Sequence, residues 1–247
     1  MILSHPEDYR ERTYRHNILK NNLIVKNITI KETDIFISSD TDITDTVLKS
    51  VHRLRSSLES YITFHPEFAS SLLPISYDEF APAIVREMML ASSKAGVGPM
   101  AAVAGAIAEG VGREVISSVN NVIIENGGDV HLNLMKDVLI GIFAGKSKLS
   151  EKISIIVRKK EMPLGICTSS GTVGHSLSFG IADACCVKSS STALADAAAT
   201  AIGNLVRSKK DIKKALEAGM NIEGVMGLII IIDDQMGAMG DIELVSE

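Results

Sequence analysis

The sequence has no tryptophan, only three cysteines, and 4% aromatic residues over 247 positions. Without large rings, Ala, Ile, Val and Met must fill the interior. Cys167, Cys185 and Cys186 form an odd set with no C-x-x-C spacing, which argues against a disulfide framework and a zinc ribbon and fits a reducing, cytoplasmic setting. A basic excess is also missing. Lys plus Arg is 25 against 30 for Asp plus Glu, a net charge of −5, so no phosphate-neutralising surface is expected and nucleic acid is not an expected partner. The most apolar stretches, Met100 to Val111 and Gly224 to Ile232, fall short of the roughly 20 residues that span a bilayer, and the first contains Glu109. The opening MILSHPEDYRERTYRH has no apolar leader, and no lipid-anchor motif appears, so no membrane association is expected.

What remains is a chain with 46% apolar and 22% charged residues, the balance of an ordinary folded domain. Residues 12 to 38 read as a β-meander, because Leu23, Val25, Ile28, Ile30, Ile35 and Ile37 recur between Asn, Lys and Asp. Asp40, Thr41 and Asp42 offer an N-cap. The apolar steps Ile43, Val47, Val51, Leu54, Leu58 and Ile62 then predict one amphipathic helix, stopped by His65-Pro66. A second helix is expected over Phe80 to Lys94 and a small-sided third over Met100 to Gly110. Strands follow over Asn121 to Ile124, Asp129 to Leu134, Val138 to Phe143 and Ile153 to Val157. Next come a strand near Ala182 to Val187, an Ala-rich helix over Thr192 to Arg207, a basic helix to Ala218, and two final strands.

An internal echo runs through this order. A small-residue helix, a strand and then Gly-Asp-(Val/Ile)-x-Leu occur at 100 to 132 and again at 194 to 244. The pattern predicts one domain over 1 to 247 made of two related halves, about 80–150 and 180–247, with the meander and first helix (12–65) outside them.

Three elements could carry chemistry. Asp196 and Thr200 stand four residues apart on one helix face, separated only by alanines, and an oxygen-only pair suits Mg²⁺ or Ca²⁺. The alternative is a buried Asp satisfied by backbone N–H groups, with Thr bonded to its own helix. Asn126-Gly127-Gly128-Asp129 can form a turn that presents N–H groups to an anion, or simply close a hairpin. In the stretch from 165 to 180, Ser169, Ser170, Gly171 and Thr172 can supply donors to a phosphate, and His175 can titrate near neutral pH. Neither a P-loop nor a G-x-S-x-G elbow is present. Cys167 is either a nucleophile or sulfur carrier, or a small apolar strand residue.

In order and spacing these pieces resemble the ApbE-like superfamily over roughly residues 95 to 206. The motifs are Gly105-Ala106-Ile107-Ala108-Glu109-Gly110, Asn126-Gly127-Gly128-Asp129, Ser170-Gly171, and Ala195-Asp196-Ala197-Ala198-Ala199-Thr200. The resemblance implies an α+β fold, a duplicated T-fold-like domain of antiparallel sheets with paired helices. It also implies Mg²⁺ held by Asp196, Thr200 and the Ala108 carbonyl, FAD or another flavin nucleotide cradled by 126–129 and 169–172, and FMN-transfer-type phosphoryl chemistry. The sequence departs from the family at Glu109, where a Lys is usual, and lacks an H-x-x-D-P-x-x-G segment, with only His175 nearby. The small cytosolic branch that it resembles leaves a second expectation: Cys167 as a persulfide carrier in sulfide assimilation and homocysteine formation. A homo-oligomer is compatible with either.

Overall fold

The computed structural model describes residues 23–172 and 179–246, so residues 12–22 of the expected meander lie outside the described residues. The elements that position the site are β1 (Ile24–Ile30), β2 (Thr33–Ser39), α1 (Thr44–Phe64), α2 (Ala83–Ala95), α3 (Val103–Val115), β3 (Val122–Asn126), β4 (Asp129–Asn133), β5 (Val138–Gly141), β6 (Ile153–Val157), β7 (Leu164–Ser169), β8 (Ala184–Ser189), α4 (Thr192–Leu205), α5 (Ile212–Met220), β9 (Val225–Ile232), β10 (Gln235–Gly240) and β11 (Glu243–Ser246).

One antiparallel sheet holds eight strands in the order β1-β2-β3-β4-β7-β8-β9-β10, and a three-stranded sheet has the order β11-β6-β5. The order explains the alternation along the central strands. Ile123, Leu132, Ile166, Cys186, Ile229 and Ile231 face the small sheet. Cys167, Cys185, Val187, Leu228 and Ile230 point the other way, into the α4–α5 layer. A strand buried on both sides reads as a continuous apolar run, which is why Leu228 to Ile232 shows no polar alternation. The outer helices α1, α2 and α3 close a further core on Ile28, Ile35 and Ile37.

The described part of the meander, β1 and β2, belongs to the main sheet. β2 pairs with β3 from Ile35↔Asn126 to Ser39↔Val122. The first block of four strands is therefore β1-β2, helices, β3-β4, and the second is β7-β8, helices, β9-β10. The blocks join where β4 pairs with β7, at Val130↔Ile166, His131↔Gly165 and Leu132↔Leu164. β7 is a strand that the pattern leaves out, because Gly165, Thr168 and Ser169 carry the composition of a loop. Three strands, not two, end the chain, because β11 crosses to pair with β6.

Local chemistry sets several boundaries. Gly96 ends α2 in the left-handed region at φ 73°, where a side chain is disfavoured. Asp42 accepts hydrogen bonds from the Thr44 N–H at 3.0 Å and the Thr44 hydroxyl at 2.5 Å, at the entry to α1. Among the described residues, no single helix is long and apolar enough to cross a membrane.

Candidate functional site at the β4–β7 seam

Where the two blocks meet, the helix-facing side chains of β4 and β7 lie beneath α3 and α4. The helices approach closely because small residues line the contact. A Cβ on Gly105 would sit 2.4 Å from the Thr192 carbonyl oxygen and 2.8 Å from Asp196 Cβ, and one on Gly165 would sit 2.5 Å from Thr192 Cα. Glycine at both positions is what lets α4 lie against α3 and β7 together.

The helices also cap each other. Asp196 of α4 accepts the Gly105 N–H at 2.8 Å, in the first turn of α3, and the Ala104 N–H binds the same carboxylate. Glu109 of α3 accepts from the Ser191 hydroxyl and the Ala193 N–H, both at 3.1 Å, in the first turn of α4. Each acid satisfies N–H groups that the other helix leaves unpaired. Ser191 is itself the N-cap of α4 and accepts from the Leu194 N–H. Glu109 is thus held at a helix terminus, in reach of Arg113 at 3.8 Å.

Around Asp196 the structure brings together several of the residues singled out in the sequence. Asn126 and Asp129 pair across a two-residue β-hairpin loop, with Gly127 and Gly128 at φ 69° and 104°. Asp129 is buried, and its carboxyl is pushed up to about 7, chiefly by burial, partly by the Glu125 charge, against hydrogen bonds from Cys167 and the Thr168 N–H. Burial and then the Asp129 charge hold Asp196 well above the usual carboxylate range, against the N–H bonds from α3. Neither acid has a Lys or Arg ion-pair partner among the described residues. Thr200 is half-buried one turn beyond Asp196 on α4.

Several of the expected residues have partners within the protein. Ala108 is fully buried in the middle of α3, one turn past the Ala104–Gly105 peptide that meets Asp196. Asn126 donates to the Ala104 carbonyl at 3.1 Å and fixes that peptide. The Gly128 N–H donates to buried Glu125 at 2.7 Å. In the Ser/Thr loop the Gly171 N–H is bonded to the Ala182 carbonyl at 2.9 Å, and the Thr172 N–H to Ser170 Oγ at 3.1 Å. Those two N–H groups are bonded within the protein. Ser169 is buried with its hydroxyl unpartnered, and lies beside Gly203 of α4. His175 lies outside the described residues.

The sulfur-carrier expectation for Cys167 fails on access and charge. The thiol is fully buried, lies 3.3 Å from the Thr192 carbonyl oxygen, and is pushed up by burial and by the Asp129 and Asp196 charges. A carrier needs an accessible thiolate. Cys185 and Cys186 are equally buried, and burial pushes Cys186 up to about 11.

His131 holds a place in the seam that sequence reasoning misses. Its Nδ1 lies 2.9 Å from the Thr192 hydroxyl, its Nε2 has no partner, and burial followed by the Arg113 charge pushes it down to about 4. Gly112 makes its room, since a Cβ there would meet the ring at 2.1 Å. A lone His in DVHL gives no motif signal.

Comparison with known proteins decides the family. The family described as AbpE bacteria matches residues 17–242. The chain belongs to the ApbE-like superfamily. A UPF0280 protein of Methanocaldococcus jannaschii is 43% identical over 224 residues, covering 86% of this chain and 88% of its own length. A UPF0280 protein of Methanosarcina acetivorans is 38% identical over 215 residues, covering 86% and 85%. The fold of this ApbE-like chain matches Pseudomonas stutzeri flavinyl transferase ApbE at a TM-score of 0.55 and 12% identity, over 88% of this chain and 94% of that one. It matches the apbe protein of Thermotoga maritima at 0.56 and 12%, over 89% and 97%. The α+β reading with antiparallel sheets is the observed architecture.

Proposed function

We propose that this chain binds a flavin dinucleotide of the FAD type together with a hard divalent cation such as Mg²⁺ at the β4–β7 seam, and that the bound pair undergoes FMN-transfer-type phosphoryl chemistry. One observation carries the reading: Asp129 and Asp196 are two acids in one helix-facing patch with no basic side chain among the described residues to neutralise them. Such a pair is held by a proton or by a cation, and only the cation also attracts a pyrophosphate.

The donor set fits a hard cation in type. Asp196 has two lone-pair sites left after the Gly105 and Ala104 N–H groups, Asp129 is within electrostatic reach, and the Thr200 hydroxyl stands one turn away. Among the described residues no group of three or more His, Cys, Asp or Glu forms a metal cage. Mg²⁺ commonly takes one or two carboxylates and completes its shell with substrate phosphates and water. Asp196, Thr200 and Asp129 would hold it, and the bound ion would supply charge neutralisation to a pyrophosphate undergoing displacement.

The protein's own part is positional. Asn126 fixes the Ala104–Gly105 peptide, that peptide orients Asp196, and Gly105 and Gly165 set the depth of α4. The likeness of fold to flavin transferases supports the flavin as the ligand class. Native mass spectrometry of the chain incubated with FAD, with and without Mg²⁺, tests the reading. A 1:1 FAD complex that needs Mg²⁺ is the expected result. No complex in either condition removes it.

A further inference from the structure

The few aromatic residues of this chain are unevenly placed. Half of the ten, Tyr61, Phe64, Phe68, Tyr77 and Phe80, fall within residues 61–80, at the end of α1 and along the connection to α2. Phe68 is fully buried in a single helical turn over Glu67–Ser70 and packs edge-on against Tyr61, with 5.4 Å between ring centroids. The Tyr61 hydroxyl donates to Asp78 Oδ2 at 3.1 Å, and Asp78 Oδ1 accepts the Phe80 N–H at 2.9 Å. Tyr61 is the hub of this region. Around it Phe64 and Phe80 are 81% and 89% exposed, and Leu72, Leu73 and Tyr77 are each more than half exposed. The backbone of the connection is pinned on its core side, because Ile75 and Ala81 pack into the helix core and a Cβ on Gly98 would lie 1.8 Å from the Ser71 carbonyl oxygen. The large side chains are therefore held outward by a fixed frame.

We infer that the face formed by Phe64, Leu72, Leu73, Tyr77 and Phe80 is the contact between two copies of this chain, closed about a two-fold axis. The inference is independent of the proposed nucleotide site. Area is the first argument. At roughly 200 Å² per aromatic residue and somewhat less per leucine, the five leave on the order of 600 Å² in water. That is the top of the range of about 300–600 Å² for the largest apolar patch on a monomer, and it approaches the roughly 800 Å² per partner of a specific interface. Charge is the second. Residues 68–77 contain no Asp, Glu, Lys, Arg or His, and the Ser70 and Ser71 hydroxyls donate to the Pro66 and Leu73 carbonyls at 3.3 and 2.7 Å. The centre thus offers nothing for a partner of fixed charge to match, whereas the cores of homodimer interfaces are apolar, rich in aromatics and depleted of charge. The rim carries both signs, Glu67 and Glu79 with Arg86, so two copies can meet acid to base across the axis. A two-fold contact matches the patch to itself and stops the assembly at two.

Sedimentation velocity of the full chain across a wide concentration range tests this, for the parent, for the double variant Phe64→Glu with Phe80→Glu, and for Leu139→Glu. Phe64 and Phe80 are exposed enough that the changes should not reach the core, and urea unfolding checks the fold. Leu139 is a half-exposed leucine on β5, in the other sheet, and serves as the control. The parent and Leu139→Glu are expected to sediment at twice the chain mass and to separate only on dilution, while the double variant sediments as a single chain with unchanged unfolding. Hydroxyl-radical footprinting of the parent reads the same face without any substitution and decides alone where the double variant fails to fold. Phe64, Tyr77 and Phe80 should be modified several-fold less in the dimer than after dilution to single chains. A parent that is a single chain at every concentration overturns the inference, whatever other protein or phospholipid vesicle then binds the face. A dimer that the folded double variant retains, that Leu139→Glu also breaks, or in which the three rings react as they do in the single chain overturns it too.

Discussion

Glu109 and Asp196 are exchanged caps: each leaves its own helix to bind the first-turn N–H groups of the other, Glu109 at Ala193 and Asp196 at Gly105. The charge that departs from the family pattern at 109 is thereby tied to the N-terminus of α4, where a negative charge is favourable. Glu109→Gln should lower stability by about 1 kcal/mol, and Glu109→Lys by more, since it places a cation at that terminus. Urea unfolding of the three proteins checks this. Equal stability of parent and Glu109→Lys contradicts the capping role.

Gly105→Ala is the sharpest steric test of the seam. The new Cβ would lie 2.4 Å from the Thr192 backbone, which cannot give as a flexible side-chain end can. A loss of roughly 2–3 kcal/mol is expected, as for overpacked contacts. The displaced α4 should also carry Asp196 away from the first turn of α3. Hydrogen exchange at the amides of positions 104 and 105 reads the loss of that cap directly. Unchanged stability with unchanged exchange contradicts the close approach of the two helices.

The pH dependence of stability isolates His131. Its folded value of about 4 lies below the ordinary 6.5, so between those values the unfolded chain binds the extra proton and stability rises with pH. Asp129 opposes it: its carboxyl, raised to about 7, keeps a proton in the folded state that the unfolded chain has released, so its contribution falls with pH over about 4 to 7. Taking the difference between parent and His131→Asn cancels the Asp129 contribution. That difference should move in the parent's favour by about 3 kcal/mol from pH 4 to pH 6.5 and then stay flat. A flat difference over the whole range shows that His131 is not held neutral.

Much of this is legible in the chain, and the failures have physical reasons. The nearness of Asp129 to Asp196 follows from motif order, because Ala197 to Ala199 and the Gly127-Gly128 turn are visible as small residues in fixed places. The direction of hydrogen bonds is not visible. Nothing in the sequence tells that Glu125 fills the Gly128 N–H, or that Ala182 fills Gly171, since those partners meet only when β3–β4 and β7–β8 are paired. The meander reads as lying outside the halves because three helices separate β1–β2 from β3, and strand pairing across such a gap leaves no local pattern. Cys167 reads in sequence either as a reactive thiol beside a loop or as a small apolar strand residue. The same alternation that places it on the helix-facing side of β7 buries it.

That burial gives a further prediction. In native protein Cys167 should react with a thiol probe orders of magnitude more slowly than in urea, and a persulfide should not form on it under sulfide with a mild oxidant. Rapid modification of Cys167 in the folded chain, located by peptide mass analysis, contradicts the buried thiol.

The central claim is that the two acids at the seam hold a cation that the nucleotide shares, so Mg²⁺ and FAD must strengthen each other's binding. The direct measurement is FAD affinity across a Mg²⁺ titration for the parent and for Asp196→Asn, which keeps shape and removes the charge. Mg²⁺ should tighten FAD at least about tenfold in the parent, a typical coupling between linked sites, and have little effect in the variant, with both proteins folded. An FAD affinity in the parent that ignores Mg²⁺, or a variant that responds as the parent does, contradicts it.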